Sequence, residues 1–331
     1  MAMKLAYVLA SACRRVLKNL RREEEVERNN IEVIGVDHGW SHIKTAATVF
    51  TTSIEENPSP TFYKDVLEYR GKYYNIGGER LEVKDTKVEN EDFYLLTLAA
   101  IAKELVKRGN ILKTDIYLAV GLPLTRFGEE KQPFIDYLSK NEEINFKFEE
   151  KEFQIKIVKV SVYPQCYSAV AERIPNFQRR AVVVDIGSWT IDIMPVINKK
   201  PDDRRCNSLP HGLITCMRDI NRDCVKNFNY ELDEADIEHY IRYRQLTNVP
   251  REVINLLDRY LKDYADMIIR SLRELEINIQ TTPIIIVGGG ASVVKNYCSV
   301  QLPNIEYKLD VKANAKGYEM MARIALRNSR R

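Results

Sequence analysis

The chain has 331 residues, of which 45% are hydrophobic and 29% are charged, and its formal net charge is +3. This apolar content can bury the core of two average domains and excludes a globally disordered chain. The near balance of charge does not indicate a dedicated nucleic-acid binder, whose basic residues would dominate or cluster. The six cysteines show no CxxC spacing, which is typical of reduced thiols, and no apolar run reaches the ~18 residues of a membrane span. We therefore expect a cytoplasmic protein without a membrane partner.

Residues 1–30 are predicted to form an N-terminal extension and a linker. Lys4 and the apolar run after it faintly resemble a lipoprotein signal, but a cluster of arginines and lysine follows at once. The favoured interpretation is a short amphipathic helix, whose apolar face is formed by Leu5, Val8, Leu9, Ala12, Val16 and Leu20. Residues 21–30 are polar throughout and predict a linker.

The first half of the chain predicts strands separated by turns, together with one long helix. Strands and hairpins are expected at 31–36, 46–52, 66–76, 116–120 and 152–162, and helices at 90–109 and 169–174. The long helix has acidic residues in its first turn, basic residues in its last turn and apolar side chains on two faces. We therefore expect it to be buried on two sides.

The second half of the chain repeats the beginning of the first. A boundary at 175–180 is followed by an apolar strand, an acidic glycine turn at Asp185 and a return strand at 190–196, as happens around Asp37. Helices are then expected at 211–229, 233–245, 250–275, 291–297 and 311–327, with a buried strand at 284–287. The repeat predicts two related α/β domains.

Two acidic glycine turns carry the predicted chemistry. In each, an aspartate ends a buried strand, and a glycine lets backbone amides approach phosphate oxygens closely. Each aspartate can hold a hydrated Mg²⁺, which needs few carboxylates, and a lysine on the first return strand is a phosphate counter-charge. Taken alone, each turn also fits a hairpin capped by its aspartate, but the duplication favours a phosphate clamp. The predicted residues are Asp37, Gly39, Trp40, Ser41 and Lys44 in the first turn, and Asp185, Gly187, Ser188, Trp189 and Thr190 in the second.

A third turn, Gly288-Gly289-Gly290, follows the strand at 284–287 and precedes a helix. Three glycines leave a surface without side chains, on which an adenine or guanine ring and the α-phosphate can lie near the helix N-terminus. The turn is not GxGxxG, which disfavours a Rossmann dinucleotide site, and no Walker GxxxxGK[ST] occurs, which excludes the P-loop class.

The chain contains the pattern strand, Asp-x-Gly, strand twice, followed by a triple glycine. This order resembles the superfamily of actin, heat-shock chaperones and sugar kinases. Within it, the chain is similar to the bacterial plasmid-segregating actins of the ParM type over roughly residues 31–325. Further segments that carry the resemblance are 69–77, 96–102, 121–124, 163–165 and 314–318.

The resemblance implies an α/β protein with the actin-like ATPase fold. Its two duplicated domains would each contain a mixed five-stranded sheet flanked by helices, and the nucleotide would lie in the cleft between them. Domain I would span 31–178 and take back the segment 313–331, and domain II would span 179–312.

The resemblance also implies roles for single residues. Asp37 and Asp185 match the two metal-side aspartates, and Lys44 matches the phosphate lysine. Gln165 matches the residue that orients the attacking water. Glutamine positions water by hydrogen bonds but cannot take its proton, so we expect hydrolysis to be slow unless assembly completes the site.

The chain departs from the family at both turns. Actin has a serine in place of Trp40 and a small residue in place of Trp189, so the two tryptophans are either phosphate contacts or core residues beside the cleft. His38 and His42 flank the first turn, and we expect them to be structural because phosphoryl chemistry needs no base there.

We therefore expect a filament-forming NTPase that uses Mg²⁺ with ATP or GTP and assembles head to tail with copies of itself. The family implies a DNA-binding adaptor of the ParR type, so that plasmid DNA is moved only indirectly. The alternatives are a bacterial cytoskeletal or cell-shape actin and a monomeric small-molecule kinase. A chaperone-like ATPase is disfavoured because it normally carries a further peptide-binding domain.

Overall fold

The computed structural model describes residues 31–59, 64–300 and 302–328. The predicted extension and linker over 1–30 lie outside the described residues, and so does the end of the returning segment at 329–331. Within the described ranges, no helix combines the length and the apolar character that crossing a bilayer requires.

The first half of the chain forms one large sheet with two helices among its described residues. The strands are β1 (Ile31–His38), β2 (His42–Lys44), β3 (Val49–Thr51), β4 (Ile54–Asn57), β5 (Val66–Tyr69), β6 (Lys72–Ile76), β7 (Lys113–Leu122), β8 (Glu143–Phe148) and β9 (Lys151–Pro164). The helices are α1 (Asp92–Lys107) and α2 (Phe127–Leu138), and short 3-10 turns occur at Leu124–Arg126, Ser168–Val170 and Ile174–Asn176.

The second half of the chain forms a second sheet and is richer in helix. The strands are β10 (Arg180–Ile186), β11 (Ile191–Ile197), β12 (Lys200–Pro201), β13 (Asn207–Leu209), β14 (Ile284–Val287) and β15 (Ile305–Tyr307), with a 3-10 turn at Asp203–Arg205. The helices are α3 (Leu213–Phe228), α4 (Glu234–Tyr243), α5 (Arg251–Glu274), α6 (Ala291–Tyr297) and α7 (Ala313–Asn328).

The two sheets share a five-stranded core of the same topology. In the first sheet, the order is β3-β2-β1-β7-β9, with antiparallel pairing up to β1 and parallel pairing after it. In the second sheet, the order β12-β11-β10-β14-β15 has the same pattern around β10. The expectation of a duplicated fold with a mixed five-stranded core in each half is therefore confirmed.

Both sheets extend beyond the five strands that were expected. Among the described residues, the first continues through β8, β5, β6 and β4 to nine strands, and β13 gives the second a sixth by pairing with β11. The alternating side chains Ile144, Phe146 and Phe148 of β8 are buried in the same core cluster as α1. These added strands form an outer lobe on the first half of the chain. Helix α1 packs against this lobe and covers the apolar side chains of β8.

Helix α1 is buried on two sides, as its two apolar faces predicted. Nearly all side chains from Phe93 to Leu105 are buried, including the fully enclosed Leu96 and Ile101. The start of α1 is fixed by Asn90, whose Oδ1 accepts a hydrogen bond from the Asp92 backbone N–H at 3.1 Å.

Helix α7 returns from the second half of the chain and packs on β1 and β7 of the first sheet. A Cβ on Gly35 would lie 2.0 Å from the Ala315 carbonyl oxygen, so the close approach of α7 to β1 requires glycine there. The chain therefore passes between the two halves twice, once between β9 and β10 and once between β15 and α7.

The helix predicted at 169–174 is wrong. The segment forms two separate 3-10 turns, at Ser168–Val170 and Ile174–Asn176, where the chain passes from one sheet to the other. The apolar run is shorter than a stable α-helix needs, and Pro175 disfavours helical backbone at the residue before it.

Candidate nucleotide-binding cleft

A cleft of about 810 Å³ opens between the two sheets at the C-terminal ends of β1, β10 and β14. Ligands of α/β sheets bind outside the carboxyl ends of parallel strands, where helix N-termini and loops meet. The predicted site residues that line the cleft are Asp37, Gly39, Trp40, Lys44, Gln165, Asp185, Gly187, Ser188, Trp189, Thr190, Gly288, Gly289 and Gly290. The fold thus brings all three glycine turns and Gln165 to one space.

The first acidic turn brings three polar groups together. Asp37 is the last residue but one of β1 and is only 3% exposed. Its Oδ2 accepts a hydrogen bond from Lys44 Nζ at 3.2 Å, and its Oδ1 accepts one from Gln165 Nε2 at 3.3 Å. Lys44 can reach the carboxylate because it lies directly opposite Asp37 in the β1–β2 register. A carboxylate, an ammonium and an amide therefore converge at one wall of the cleft.

The second acidic turn has a carboxylate that is harder to ionise. Asp185 Oδ2 accepts a hydrogen bond from Asn314 Nδ2 at 2.6 Å. Burial raises the pKa of Asp185 to about 6; the Asn314 hydrogen bond opposes this rise, and the carboxylates of Asp192 and Asp37 add to it. Asp192 lies opposite Asp185 in the β10–β11 register, and its Oδ1 is buried without a partner among the described residues. A cation would stabilise this group of carboxylates.

Lys44 links the two turns electrostatically. Burial lowers the pKa of its ammonium, but the carboxylates of Asp37 and Asp185 outweigh burial, and the resulting pKa is raised. Lys44 therefore carries a positive charge between one aspartate of the first sheet and one of the second.

In the third glycine turn, the backbone lies so close to Asp185 and Ile186 that two of the three positions have no room for a side chain. Gly288 has a φ of +87°, and a Cβ there would lie 2.4 Å from Asp185 Oδ1. A Cβ on Gly290 would lie 2.1 Å from the Ile186 side chain, whereas no atom of the described residues lies within 4 Å of the Cβ position of Gly289. Glycine is therefore required at Gly288 and Gly290, and Gly289 presents open backbone to the cleft.

Each of the two tryptophans packs against the core and also lines the cleft. Trp40 packs edge-on against Phe93, with ring centroids 5.1 Å apart. The guanidinium of Arg218 lies over the Trp189 ring at 4.8 Å. The indole N–H of Trp189 is buried and has no partner within the described part of the chain. It is therefore a candidate donor to a bound ligand.

Ser41 differs from the other predicted residues in its placement. Its side chain is 3% exposed and is not among the cleft-lining groups, and its hydroxyl has no hydrogen-bond partner in the described ranges. Its backbone carbonyl accepts a hydrogen bond from the Thr52 N–H at 2.9 Å, which ties the turn to the strand after it. In the second turn, the Thr190 hydroxyl donates to Asp192 Oδ2 at 3.0 Å.

Both histidines beside the first turn are neutral at neutral pH. His38 is fully buried, and burial lowers its pKa to about 3. The Thr97 hydroxyl donates to the Phe93 carbonyl, so His38 Nε2 acts as the donor in its 2.8 Å bond to Thr97. His42 lines the cleft, and burial lowers its pKa to about 4.

The cleft also contains residues that sequence reasoning did not assign to the site. They include Lys84, Lys87, Arg126, Glu130, Asp192, Glu238, Ile241, Arg242 and Asn314. Asn314 lies in the segment 314–318, which carries the family resemblance, so the sequence contained a signal that could have assigned it to the site. Lys87 lies in a polar stretch without regular structure, and nothing in its sequence context indicates that it turns toward the cleft.

The two halves of the chain match two family models. Residues 35–167 match the N-terminal domain of actin-like proteins, and residues 183–299 match the C-terminal domain of the archaeal MreB-like actin homologues. Together the matches cover about three quarters of the chain. A search of curated proteins by sequence gave no match.

Solved structures share the fold at low sequence identity. An archaeal actin homologue is 20% identical, with a TM-score of 0.72 over 88% of this chain and 99% of the homologue, and it has also been solved in complex with ADP. The protomer of a 15-stranded ParM filament from Clostridium botulinum is 19% identical, with a TM-score of 0.71 over 89% of this chain and 99% of that protein. Bacillus thuringiensis ParM with AMPPNP is 14% identical, with a TM-score of 0.67 over 89% and 99%.

The duplicated sheets, the cleft between them and the two domain matches define an actin-like protein, and the chain belongs to that family. Within it, the fold is shared with the ParM filament proteins as well as with the archaeal homologue.

Proposed function

We propose that this chain is a nucleotide-dependent, filament-forming NTPase that uses Mg²⁺ with ATP or GTP. The observation that carries the proposal is the pair of acidic turns. Asp37 and Asp185 end equivalent strands of two separate sheets, and both face one cleft with Lys44 between them. A phosphate chain held by both turns would draw the two domains together, so that the closed shape depends on the nucleotide.

The chemistry of the cleft suits a hydrated magnesium ion. Within the described residues, no cluster of three or more His, Cys, Asp or Glu side chains forms a metal site by itself. Mg²⁺ with a nucleotide needs only one or two carboxylates, because waters and phosphate oxygens complete its shell. Asp37 and Asp185 supply those carboxylates, and the unpartnered Asp192 Oδ1 can accept a hydrogen bond from a metal-bound water. When bound, the ion would neutralise charge on the phosphates.

We propose that Gln165 orients the attacking water. Its side chain is anchored by the 3.3 Å hydrogen bond from Nε2 to Asp37, which places it beside the carboxylate at the phosphate end of the cleft. An amide cannot remove the proton from water, so it contributes orientation and no base catalysis. Hydrolysis is therefore slow in the free protomer and acts as a timer on assembly.

We propose that protomers in the nucleotide-bound shape stack head to tail and that hydrolysis weakens their contacts. Heterologous contacts that do not close into a ring generate open filaments. Filament structures of ParM and of an Alp protein with this fold support the proposal. The cargo is plasmid DNA, held indirectly through a DNA-binding adaptor of the ParR type.

Sedimentation and light scattering test the proposal, with Mg-ATP, Mg-GTP or no nucleotide and with phosphate release measured in parallel. We expect polymer with one of the nucleotides and slow phosphate release that follows assembly. Asp185→Ala should lose assembly and bind Mg-nucleotide at least tenfold more weakly, since it removes one of the two acidic turns. Asp263→Ala, an exposed aspartate on α5 outside the cleft, is the matched control.

The outcomes separate the candidate functions. A wild-type chain that gives neither polymer nor phosphate release in any condition overturns the proposal. Phosphate transfer to a sugar by a chain that stays monomeric identifies a small-molecule kinase instead. Filaments that never recruit plasmid DNA from extracts containing the adaptor identify a cytoskeletal role.

A further inference from the structure

A second cavity, of about 1200 Å³, lies at the end of the second sheet that is remote from the nucleotide cleft. It is bordered by the first residues of β10 and β14 and by the end of α5, whereas the cleft lies at the other end of β10 and β14. Its floor includes Phe177, Ile197, Leu275 and Ile277, and its rim is formed by Arg173, Arg179, Arg180, Arg204, Arg205, Glu274, Glu276 and Glu306. We call this surface the basal groove.

The rim of the basal groove has an excess of positive charge. Arg173 pairs with Glu306 at 2.7 Å, and Arg205 lies 3.8 Å from Asp202. Arg179, Arg180 and Arg204 are exposed and form no ion pair with any described residue. Guanidinium groups in a concave, partly apolar surface favour an acidic partner.

A surface of complementary character lies where α3 turns into α4, and we call residues 225–236 the acidic tip. Val225 and Phe228 are 45% and 40% exposed, and their spacing of three residues places them on one face of α3. The tip contains one basic residue, Lys226, and four acidic residues, Glu231, Asp233, Glu234 and Asp236. Among these, Glu231, Asp233 and Asp236 are exposed. The tip therefore presents apolar side chains next to carboxylates.

The acidic tip and the basal groove lie at opposite ends of α5. The Tyr230 hydroxyl of the tip donates to the Asn248 carbonyl at 3.4 Å, just before α5 begins at Arg251. Glu274, the last residue of α5, lines the groove. A helix of 24 residues spans about 36 Å. The two surfaces therefore cannot touch within one molecule, but they can meet between two molecules in the same orientation.

We propose that the acidic tip of one protomer docks into the basal groove of the next. The inference rests on the proposed filament-forming function and names the contact that carries it. Val225 and Phe228 cover the apolar floor of the groove, while Glu231 faces its unpaired arginines. Such a contact is heterologous and open, because each molecule keeps one free tip and one free groove.

The same geometry connects the contact to the nucleotide. Helix α3 begins at the second acidic turn, where the N–H groups of Leu213 and Ile214 donate to the carbonyls of Gly187 and Ser188 at 3.0 and 2.9 Å. Its other end carries Val225 and Phe228 of the tip. A rigid helix of 16 residues, about 24 Å long, therefore transmits any shift of the turn to the docking surface.

Charge reversal and charge exchange test the contact. Arg180→Glu and Glu231→Arg each change an exposed side chain, so folding is preserved. We expect each single variant to raise the critical concentration for nucleotide-dependent assembly at least tenfold, and the chain carrying both changes to recover to within about threefold of wild type, because opposite charges again face each other. Arg259→Glu, exposed midway along α5, is the control and should assemble like wild type.

Binding of a fluorescent ATP analogue is measured on every variant, and its dissociation constant should stay within twofold of wild type because the cleft is untouched. The contact is overturned if wild type assembles and both single reversals assemble equally well, or if the double variant is no better than the singles. That result leaves the proposed function standing. A wild-type chain that stays monomeric with every nucleotide overturns both, and the wild-type measurement alone reveals it.

Discussion

At the scale of single residues, the positive charges of the cleft are balanced unequally. Lys44 lies between two carboxylates and keeps a raised pKa, whereas burial lowers the pKa of Lys87 to about 8. Asp37 and Glu130 oppose that shift, and Arg126 and Lys44 add to it. Within the described ranges, Lys87 forms no ion pair, and its ammonium lies 6.0 Å from the centre of the Phe93 ring. A half-buried ammonium with so little compensation favours an anionic ligand.

Lys87→Met should therefore weaken nucleotide binding, and more for the triphosphate than for the diphosphate. A hydrogen bond to a charged group contributes about 1.5–3 kcal/mol, which corresponds to roughly 10- to 150-fold in affinity. Isothermal titration with Mg-ATP and Mg-ADP measures the effect. Lys131→Met, an exposed lysine of α2 outside the cleft, should bind like wild type.

The same residue predicts a pH dependence. In the nucleotide-free protein, Lys87 is charged below pH about 8 and neutral above it. Its contribution to binding is therefore present at lower pH and lost as the pH rises through and beyond 8. Wild-type affinity for Mg-ATP should fall between pH 7.5 and 9.5, and the Lys87→Met variant should lack that fall. Parallel curves for the two proteins would contradict the assignment.

At the scale of elements, the junction between β14 and α6 positions an aspartate of the neighbouring strand. β10 and β14 pair in parallel with Asp185 opposite Val287, so the residue after Val287 meets the Asp185 side chain. Only glycine leaves room there, and its φ of +87° also disfavours any other residue. The turn is therefore part of the support of the acidic site.

Gly288→Ala should both destabilise the second domain and weaken nucleotide binding. The added methyl group would lie 2.4 Å from Asp185 Oδ1, and backbone strain of this kind costs about 1–3 kcal/mol. Gly289→Ala is the matched control, because no atom in the described part of the chain lies within 4 Å of its Cβ position, and the nucleotide-free protein should keep its Tm. Thermal unfolding and nucleotide titration measure the two effects; equal Tm losses in both variants would argue against the steric account.

Elements with a strong local pattern were predictable from the sequence. The apolar strands that end at Asp37 and Asp185, and the amphipathic α5, have the residue spacing that their burial requires. The run at 169–174 has apolar residues but passes between two sheets, where tertiary contacts select 3-10 turns.

In the cleft, too, residues that follow a strong local pattern were predictable, and residues placed by tertiary packing were not. Residues at the ends of buried strands, such as Asp37 and Gly288, are brought together by sheet topology and were assigned in advance, although their roles remain proposals. Lys87, Glu238 and Arg242 reach the cleft from outer segments that follow no strand of the core. The position of these three side chains in the cleft depends on how their segments pack against the core, and no local sequence pattern encodes that packing.

At the scale of the whole molecule, an ion pair joins the outer lobe of the first half to helix α4 of the second half. Arg80, which follows β6 in the first half, forms an ion pair with Glu234 in the first turn of α4. The two side chains are 22% and 32% exposed, so solvent only partly screens their attraction. The pair ties the first half of the chain to the second, and any motion that separates Arg80 from Glu234 must break it.

Arg80→Ala should therefore speed the release of bound nucleotide. A partly exposed pair contributes about 1 kcal/mol, which predicts roughly a fivefold faster dissociation in stopped-flow chase experiments. Exchanging the charges with Arg80→Glu and Glu234→Arg should restore slow release. Lys72→Ala, which removes an exposed pair with Glu56 inside one lobe, should leave release unchanged. Equal acceleration by Lys72→Ala would indicate a general loss of stability in place of a link between the lobes.

The returning helix α7 sets an order of completion during protein synthesis. The second sheet is built from one continuous stretch of chain, and all its strands are made before α7. The first sheet is made earlier, yet Val33, Tyr117 and Ala119 are covered only when Tyr318 and Ala322 of α7 arrive. The nascent chain therefore carries an apolar face on its older domain while the ribosome makes the younger one. Slow translation through the second half would prolong that exposure, and the older domain would then be the one most prone to aggregate or to engage chaperones.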